Sequence, residues 1–259
     1  MRFGICLLSC VPVRKSPEFW GELASELLFG EHFEVLDRRD IFAKVRMAYD
    51  SYEGWIDLRQ TVSIGLDEFQ GLNETLAAVS LDAITLTQMD NHKVMVLRGS
   101  SLPFYTNGEF RVGGRKFSFS GKVRKPDRSI TSEELVHFAL SYLNSPYRWG
   151  GRTPFGIDCA SFVQVVFKAF GVYLSRETYT QKEEGKEIGS IADARVGDLA
   201  FFRSISKDLP HVGIVLGEEI IHACGTVRID SIDKAGIFNR KIKEYTYRLT
   251  SIRRIAKVV

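Results

Sequence analysis

Short apolar runs broken by polar and glycine turns fill the first 60 residues: Cys6 to Val13, Glu34-Val35-Leu36, Phe42 to Arg46 and Gly54-Trp55-Ile56. Runs this short, at turn-length spacing, predict the strands of a small barrel. Glu22 to Phe29 fits either one helical turn or a further strand. Residues 61–80 have mixed propensity and read as a connector. The β pattern returns from Ala83 to Val123, in Thr85-Leu86, Lys93 to Leu97 and Phe117 to Val123. Turns fall at Pro103, Gly108, Gly113-Gly114 and Gly121, which predicts a second small β unit over 81–125.

At Lys125-Pro126-Asp127 the texture changes. Thr131 and Glu134 have capping-box spacing, and Leu135, Phe138 and Tyr142 then line one helical face. Asn144-Ser145-Pro146 ends that helix. A second helix is predicted from Cys159 to Phe170, with Phe162, Val163, Val166, Phe167 and Phe170 as its buried stripe and Gly171 as its stop. Strands follow at Leu199 to Phe202, Val212 to Leu216, Ile220 to Ala223, Val227 to Ile229 and Tyr247 to Ile255. Helices first and an antiparallel sheet after predict an α+β domain over 126–259.

Composition narrows the function classes. The 259 residues are 44% hydrophobic and 26% charged, ordinary for a folded chain. The formal charge of +3 is too weak and scattered to predict nucleic-acid binding. No stretch reaches the roughly 20 apolar residues of a membrane span. Phe3 to Val11 is broken by Ser9, lacks a small-x-small cleavage site and reads as a strand rather than a signal peptide. With Met1 as the natural start the expected location is the cytoplasm; a chain whose leader had been removed would read the same and be periplasmic or exported. Cys6, Cys10, Cys159 and Cys224 form no paired framework and are read as free thiols.

Candidate chemistry centres on Asp158-Cys159, which opens the second predicted helix after Gly150-Gly151 and Gly156. A cysteine in a first helical turn meets unpaired amides that favour its thiolate. A thiol nucleophile needs a base, and the base needs an orienting partner. His211 and His222, on adjacent predicted strands, are the candidates, although the register of their hairpin is not fixed by sequence. Cys159, His211, His222 and Cys224 are also conceivable zinc ligands, but no second close thiolate supports them and no metal or cofactor is expected.

Together, Tyr147-x-Trp149-Gly150-Gly151, Asp158-Cys159, Leu174-Ser175-Arg176-Glu177 with Gln181, Gly197-Asp198-Leu199, His211-Val212-Gly213-Ile214 and Ile221-His222-Ala223 resemble the NlpC/P60 family of cell-wall cysteine peptidases over about residues 126–230. Val11 to Lys15, Gly30-Glu31, Lys44-Val45-Arg46 and Glu53-Gly54-Trp55-Ile56 resemble, more weakly, bacterial SH3-like modules. The resemblance implies two SH3-like barrels followed by a papain-like α+β catalytic domain. It implies Cys159, His211 and His222 as a catalytic triad, with Tyr147 supporting the oxyanion. The layout is similar to the branch that recycles murein tri- and tetrapeptides, cutting the γ-D-glutamyl bond to diaminopimelate or lysine when the N-terminal L-alanine is free. Asp158 and Glu53 would pair with that amine. Thr178, Trp149, Arg176 and Ser161 are further candidate substrate contacts, and Arg148 a basic residue near the motif core. Lysis of intact wall, an amidase or acyltransferase activity, and wall-peptide binding are the alternatives. Two departures stand out: Asp158-Cys159-Ala160-Ser161 where the family has Asp-Cys-Ser-Gly, and Leu174-Ser175-Arg176 where it has Leu-Pro-Arg.

Overall fold

The structure, a computed structural model, describes residues 2–127 and 129–255. The chain forms two compact units. The first comprises Met1–Asp127 with the later segments Trp149–Pro154 and Lys168–Tyr173; the second comprises Arg128–Arg148, Phe155–Phe167 and Leu174–Val259.

The first unit opens with β1 (Phe3–Ile5), β2 (Cys10–Arg14), β3 (Leu23–Leu28), β4 (His32–Arg39), β5 (Phe42–Met47), β6 (Glu53–Asp57) and β7 (Val62–Ile64). These make one sheet in the order β3-β2-β6-β5-β4-β1-β7. Glu22 to Phe29 is therefore strand in its main part, not helix. The connector residues contribute β7 and a helix, α1 (Leu66–Glu74). Next come β8 (Ala78–Ser80), β9 (Ile84–Met89), β10 (His92–Leu97), β11 (Ser101–Leu102), β12 (Glu109–Val112), β13 (Arg115–Ser118) and β14 (Val123–Arg124). They form a four-stranded sheet, β10-β9-β13-β12, and a three-stranded one, β11-β8-β14.

Two closed barrels are thus not what the first unit holds. Its seven-stranded sheet is open, and the later strands divide between two small sheets. The reason lies in the core. Phe3, Ile5 and Ile64 of the first sheet share one apolar cluster with Phe110, Phe117 and Phe119, so the later strands complete an existing core instead of closing around their own. A second cluster, with Val11, Val13, Leu27, Phe33, Val45 and Ile56, fills the first sheet itself.

Charge is buried in this unit too. Glu31 accepts from Arg152 at 2.7 and 3.0 Å and from Lys168 at 2.6 Å, and all three side chains are almost fully buried. Burial alone would raise the Glu31 carboxyl; the two cations outweigh it and hold it down at about 2.

The second unit begins with α2 (Ser132–Leu140), capped by Thr131, whose hydroxyl accepts the Glu134 amide at 3.2 Å. Two short strands, β15 (Arg152–Thr153) in the first unit and β16 (Gly156–Ile157) in the second, precede α3 (Cys159–Lys168). Gly171 follows at φ +76, a left-handed turn that suits glycine, and its amide bonds the Lys168 carbonyl at 2.9 Å. Then come α4 (Thr178–Gln181), β17 (Lys186–Ile188), β18 (Leu199–Ser204), β19 (Pro210–Val215), β20 (Glu219–Cys224), β21 (Thr226–Ile232), β22 (Gly236–Asn239) and β23 (Glu244–Arg254). Strand β23 pairs with both β18 and β22, so six strands close into a ring, the one closed barrel among the described residues. Ala200, Phe202, Val215, Ile220, Ile232, Ile237 and Ile252 form its apolar core. Among the described residues no helix is long and apolar enough to cross a membrane.

Candidate active site

Asp158 starts α3. Its carboxylate accepts the Ser161 amide at 2.7 Å, and its carbonyl accepts the Phe162 amide at 2.9 Å, so it caps the helix and sets Cys159 in the first turn. The cysteine sulfur is hydrogen-bonded by the Val212 backbone amide and the Thr178 hydroxyl, from β19 and α4. The helix start was expected to favour the thiolate. Instead, burial, with the Asp158 charge adding to it, pushes the Cys159 thiol up to about 12, beyond what the two donors offset. The Cys159 thiol therefore rests neutral.

The hairpin settles the histidine geometry. Gly213 pairs with His222 across β19 and β20, and alternation then puts His211, two residues earlier, on the same face. His211 Nε2 lies 2.7 Å from His222 Nδ1. A Cβ on Gly213 would sit 2.9 Å from His222 Cβ and 2.8 Å from the Ile220 side chain, so only glycine leaves His222 its place. Both histidines are buried on the face that also carries Phe202 and Ile220 of the apolar core. Burial, and the neighbouring His222, hold the His211 imidazolium well below the usual histidine range. Burial also lowers His222, only partly offset by Asp230. Both rings are neutral at pH 7.

Three residues of this face were not singled out from sequence. Asp230 accepts from His222 Nε2 at 3.0 Å, and its other oxygen accepts from Arg228 at 2.7 Å. Tyr247 stacks on the His211 ring, with centroids 4.2 Å apart and planes 20° from parallel, and its hydroxyl lies 3.3 Å from Cys224 Sγ. The alternation Arg228-x-Asp230 on a strand beside His222 was the available signal for the first two. Tyr247 had none, being 36 residues from His211.

The remaining candidates are distributed as follows. Tyr147 is half-buried; its phenol is raised by burial first and then by its neighbours Cys159 and Asp158. Arg176 is buried against Asp158 at 2.5 and 3.3 Å, so the charge of Asp158 is already balanced. Thr178 bonds the Cys159 sulfur. Ser161 is fully buried and offers solutes no surface; its amide on Asp158 is its visible role. Trp149 belongs to the first unit, where its indole donates to Glu22 at 3.0 Å. Glu53, also in the first unit, is held by Lys44 at 2.9 Å and Arg46 at 2.7 Å, which lower its carboxyl. Arg148 is exposed. Among the described residues no cluster of three or more His, Cys, Asp or Glu side chains has the arrangement of a metal site.

Residues 144–245 match the NlpC/P60 family, and residues 13–60 match the bacterial dipeptidyl-peptidase Sh3 domain. The chain is 48% identical over 107 residues to the murein DD-endopeptidase MepS/murein LD-carboxypeptidase of Escherichia coli, covering 40% of this chain and 54% of that protein. It is 33% identical over 117 residues to a gamma-D-glutamyl-L-lysine dipeptidyl-peptidase of Bacillus subtilis, spanning 43% of this chain and 39% of that one. Dipeptidyl-peptidase 6 of Lysinibacillus sphaericus is 26% identical over 245 residues, 84% of this chain and 87% of its own. The fold matches the crystal structure of an NlpC/P60 family protein from Bacillus cereus with a TM-score of 0.81 at 17% identity, over 98% of this chain and 100% of the other. Residues 144–245 are thus a segment of the NlpC/P60 family of cysteine peptidases, with an SH3-like segment at residues 13–60 ahead of it.

Proposed function

We propose that this protein hydrolyses amide bonds of murein peptides by thiol acyl transfer at Cys159. The carrying observation is the His211–His222 contact at 2.7 Å in the same unit as a cysteine held by the Val212 amide beside His211. Cys159 attacks the carbonyl while His211 takes the thiol proton, then returns it to the leaving amine; water hydrolyses the thioester with His211 as base. Because thiol and imidazole both rest neutral, proton transfer accompanies attack rather than preceding it. His222 holds the His211 ring, and Tyr147 with backbone amides supports the oxyanion.

Two observations favour different bonds. The catalytic segment has its higher identity with the E. coli wall enzyme, which favours endopeptidase action on peptidoglycan itself. The Sh3-domain match and the near full-length likeness to dipeptidyl-peptidase 6 favour the γ-D-glutamyl bond to a diamino acid in free peptides. Under that second reading Asp158, its oxygens now held by Arg176, would share them with the substrate ammonium. Mass spectrometry of products from purified sacculi, free L-Ala-γ-D-Glu-diaminopimelate and its N-acetyl form separates the two. Release of peptides from sacculi supports the wall reading. Cleavage confined to the unacetylated tripeptide supports the recycling reading, and no cleavage of any of the three refutes both.

A further inference from the structure

We infer that Asp230, clamped by Arg228, is a positioning residue that sets which nitrogen of His211 carries the proton, acting through His222. The inference rests on His211 being the base. A carboxylate only accepts hydrogen bonds, so the 3.0 Å contact requires the hydrogen on His222 Nε2. Neutral His222 then has a bare Nδ1, which must accept at the 2.7 Å contact with His211. His211 Nε2 therefore carries its hydrogen, and Nδ1 is left with the lone pair that a thiol proton needs. Each tautomer follows from the one behind it, and the chain begins at Asp230.

Arg228 keeps the beginning fixed. It donates to the second Asp230 oxygen at 2.7 Å and to the Asn239 side chain at 3.2 Å, so Asp230 stays ionised although it is buried. The groups facing this chain are Tyr247, stacked on His211, and Cys159 with its neighbours Asp158, Arg176, Tyr147 and Cys224. Of those on the histidine side, Asp230 is the anion in direct contact with a ring nitrogen among the described residues.

The clamp makes Asp230→Asn informative. Arg228 cannot accept a hydrogen bond, so the new amide must turn its oxygen to Arg228 and its NH2 to His222. His222 Nε2 becomes an acceptor, its hydrogen moves to Nδ1, and His211 Nε2 must accept. The His211 hydrogen then sits on Nδ1, where it blocks the base. A mis-set tautomer in a catalytic triad lowers kcat by roughly 10^4, and a loss of at least 100-fold with little change in KM is expected here. Removing the clamp as well, in Arg228→Leu/Asp230→Asn, frees the amide oxygen to face His222 and should recover at least a tenth of wild-type kcat.

The test is 15N NMR of the imidazoles in the full-length chain, whose five histidines are few enough to assign by single substitution, alongside turnover of a murein peptide. Wild type should show His211 protonated on Nε2, Asp230→Asn on Nδ1, and the double variant on Nε2 again. A wild-type His211 protonated on Nδ1 overturns the inference, even if Asp230→Asn fails to fold. So does an Asp230→Asn protein with wild-type tautomers or wild-type kcat. If His211→Ala retains wild-type turnover, the base assignment fails instead, a result distinct from these.

Discussion

Glu31 in the first unit and Asp230 in the second are buried carboxylates with different kinds of partner. In the first unit Glu31 meets Arg152, a fixed charge, and Lys168, whose ammonium burial lowers from its ordinary value. In the second, Asp230 meets one fixed charge, Arg228, and one titratable ring, His222, which hands its order on to His211. The Glu31 cluster contains no imidazole, and its ion pairs hold its own unit together. The Asp230 chain ends in a nitrogen whose lone pair is left available. Buried polar networks look alike in sequence as scattered charged residues; what separates structure from chemistry is whether the network contains a group that can change protonation without breaking it.

The largest effect that sharpens this contrast is on His211. His211→Ala should lower kcat by about 10^4 or more, since nucleophile and base act as a unit, while leaving the urea midpoint near wild type. A variant that loses both together would make the histidine chain structural after all. Glu31→Ala should do the reverse. It leaves two buried cations unpaired and should cost about 3–5 kcal/mol of stability, read as a lower urea midpoint at unchanged slope. A midpoint within error of wild type would remove the distinction drawn here.

Acid titration separates the networks without mutation. Groups with depressed folded pKa values stabilise the fold above their unfolded pKa and lose that contribution as pH falls. For His211 and His222 the loss begins near pH 6.5, at no more than about 1.4 kcal/mol per pH unit each. For Glu31 it begins near 4.5 and runs down to about 2. Urea midpoints between pH 7 and 3 should therefore fall from about pH 6.5 in wild type and fall less steeply below that pH in a His211→Ala/His222→Ala double variant, in which His32, also lowered by burial, remains. The same slope in both would assign the loss elsewhere. The smallest effect is packing. Gly213→Ala forces its Cβ against His222 and Ile220, and should cost about 1–3 kcal/mol, with a drop in turnover from the displaced ring. Unchanged turnover would mean His222 has more freedom than the hairpin implies.

Much of the second unit is written locally. Thr131 with Glu134, the stripe from Phe162 to Phe170 and the two histidines beside glycine are contained in windows of a dozen residues, and local physics decides them. The order of strands in the first unit is not local. Strand β9 even points Thr85 and Thr87 inward and Ile84 and Leu86 outward, so alternation reads its faces backwards. Phe3 and Phe117 joining one core, which kept the later strands from forming a barrel, depends on contacts over a hundred residues apart. The site divides in the same way. Cys159, His211 and His222 were legible because their types and neighbours are unusual. Arg228 and Asp230 were signalled only by their alternation and Tyr247 not at all, because a charge or tyrosine in a strand reads as surface until the barrel closes. The thiol's high pKa was also invisible, since the helix start was in the sequence and the burial was not.

Replacing Cys159 with Ala tests the central claim most directly. Soluble murein peptides and sacculi incubated with equal amounts of wild type and Cys159→Ala, each shown folded by its urea transition, should give new peptide termini by mass spectrometry with wild type only, the variant falling to the no-enzyme background. Turnover by Cys159→Ala at or near the wild-type rate would contradict thiol acyl transfer at this site and take the histidine chain with it.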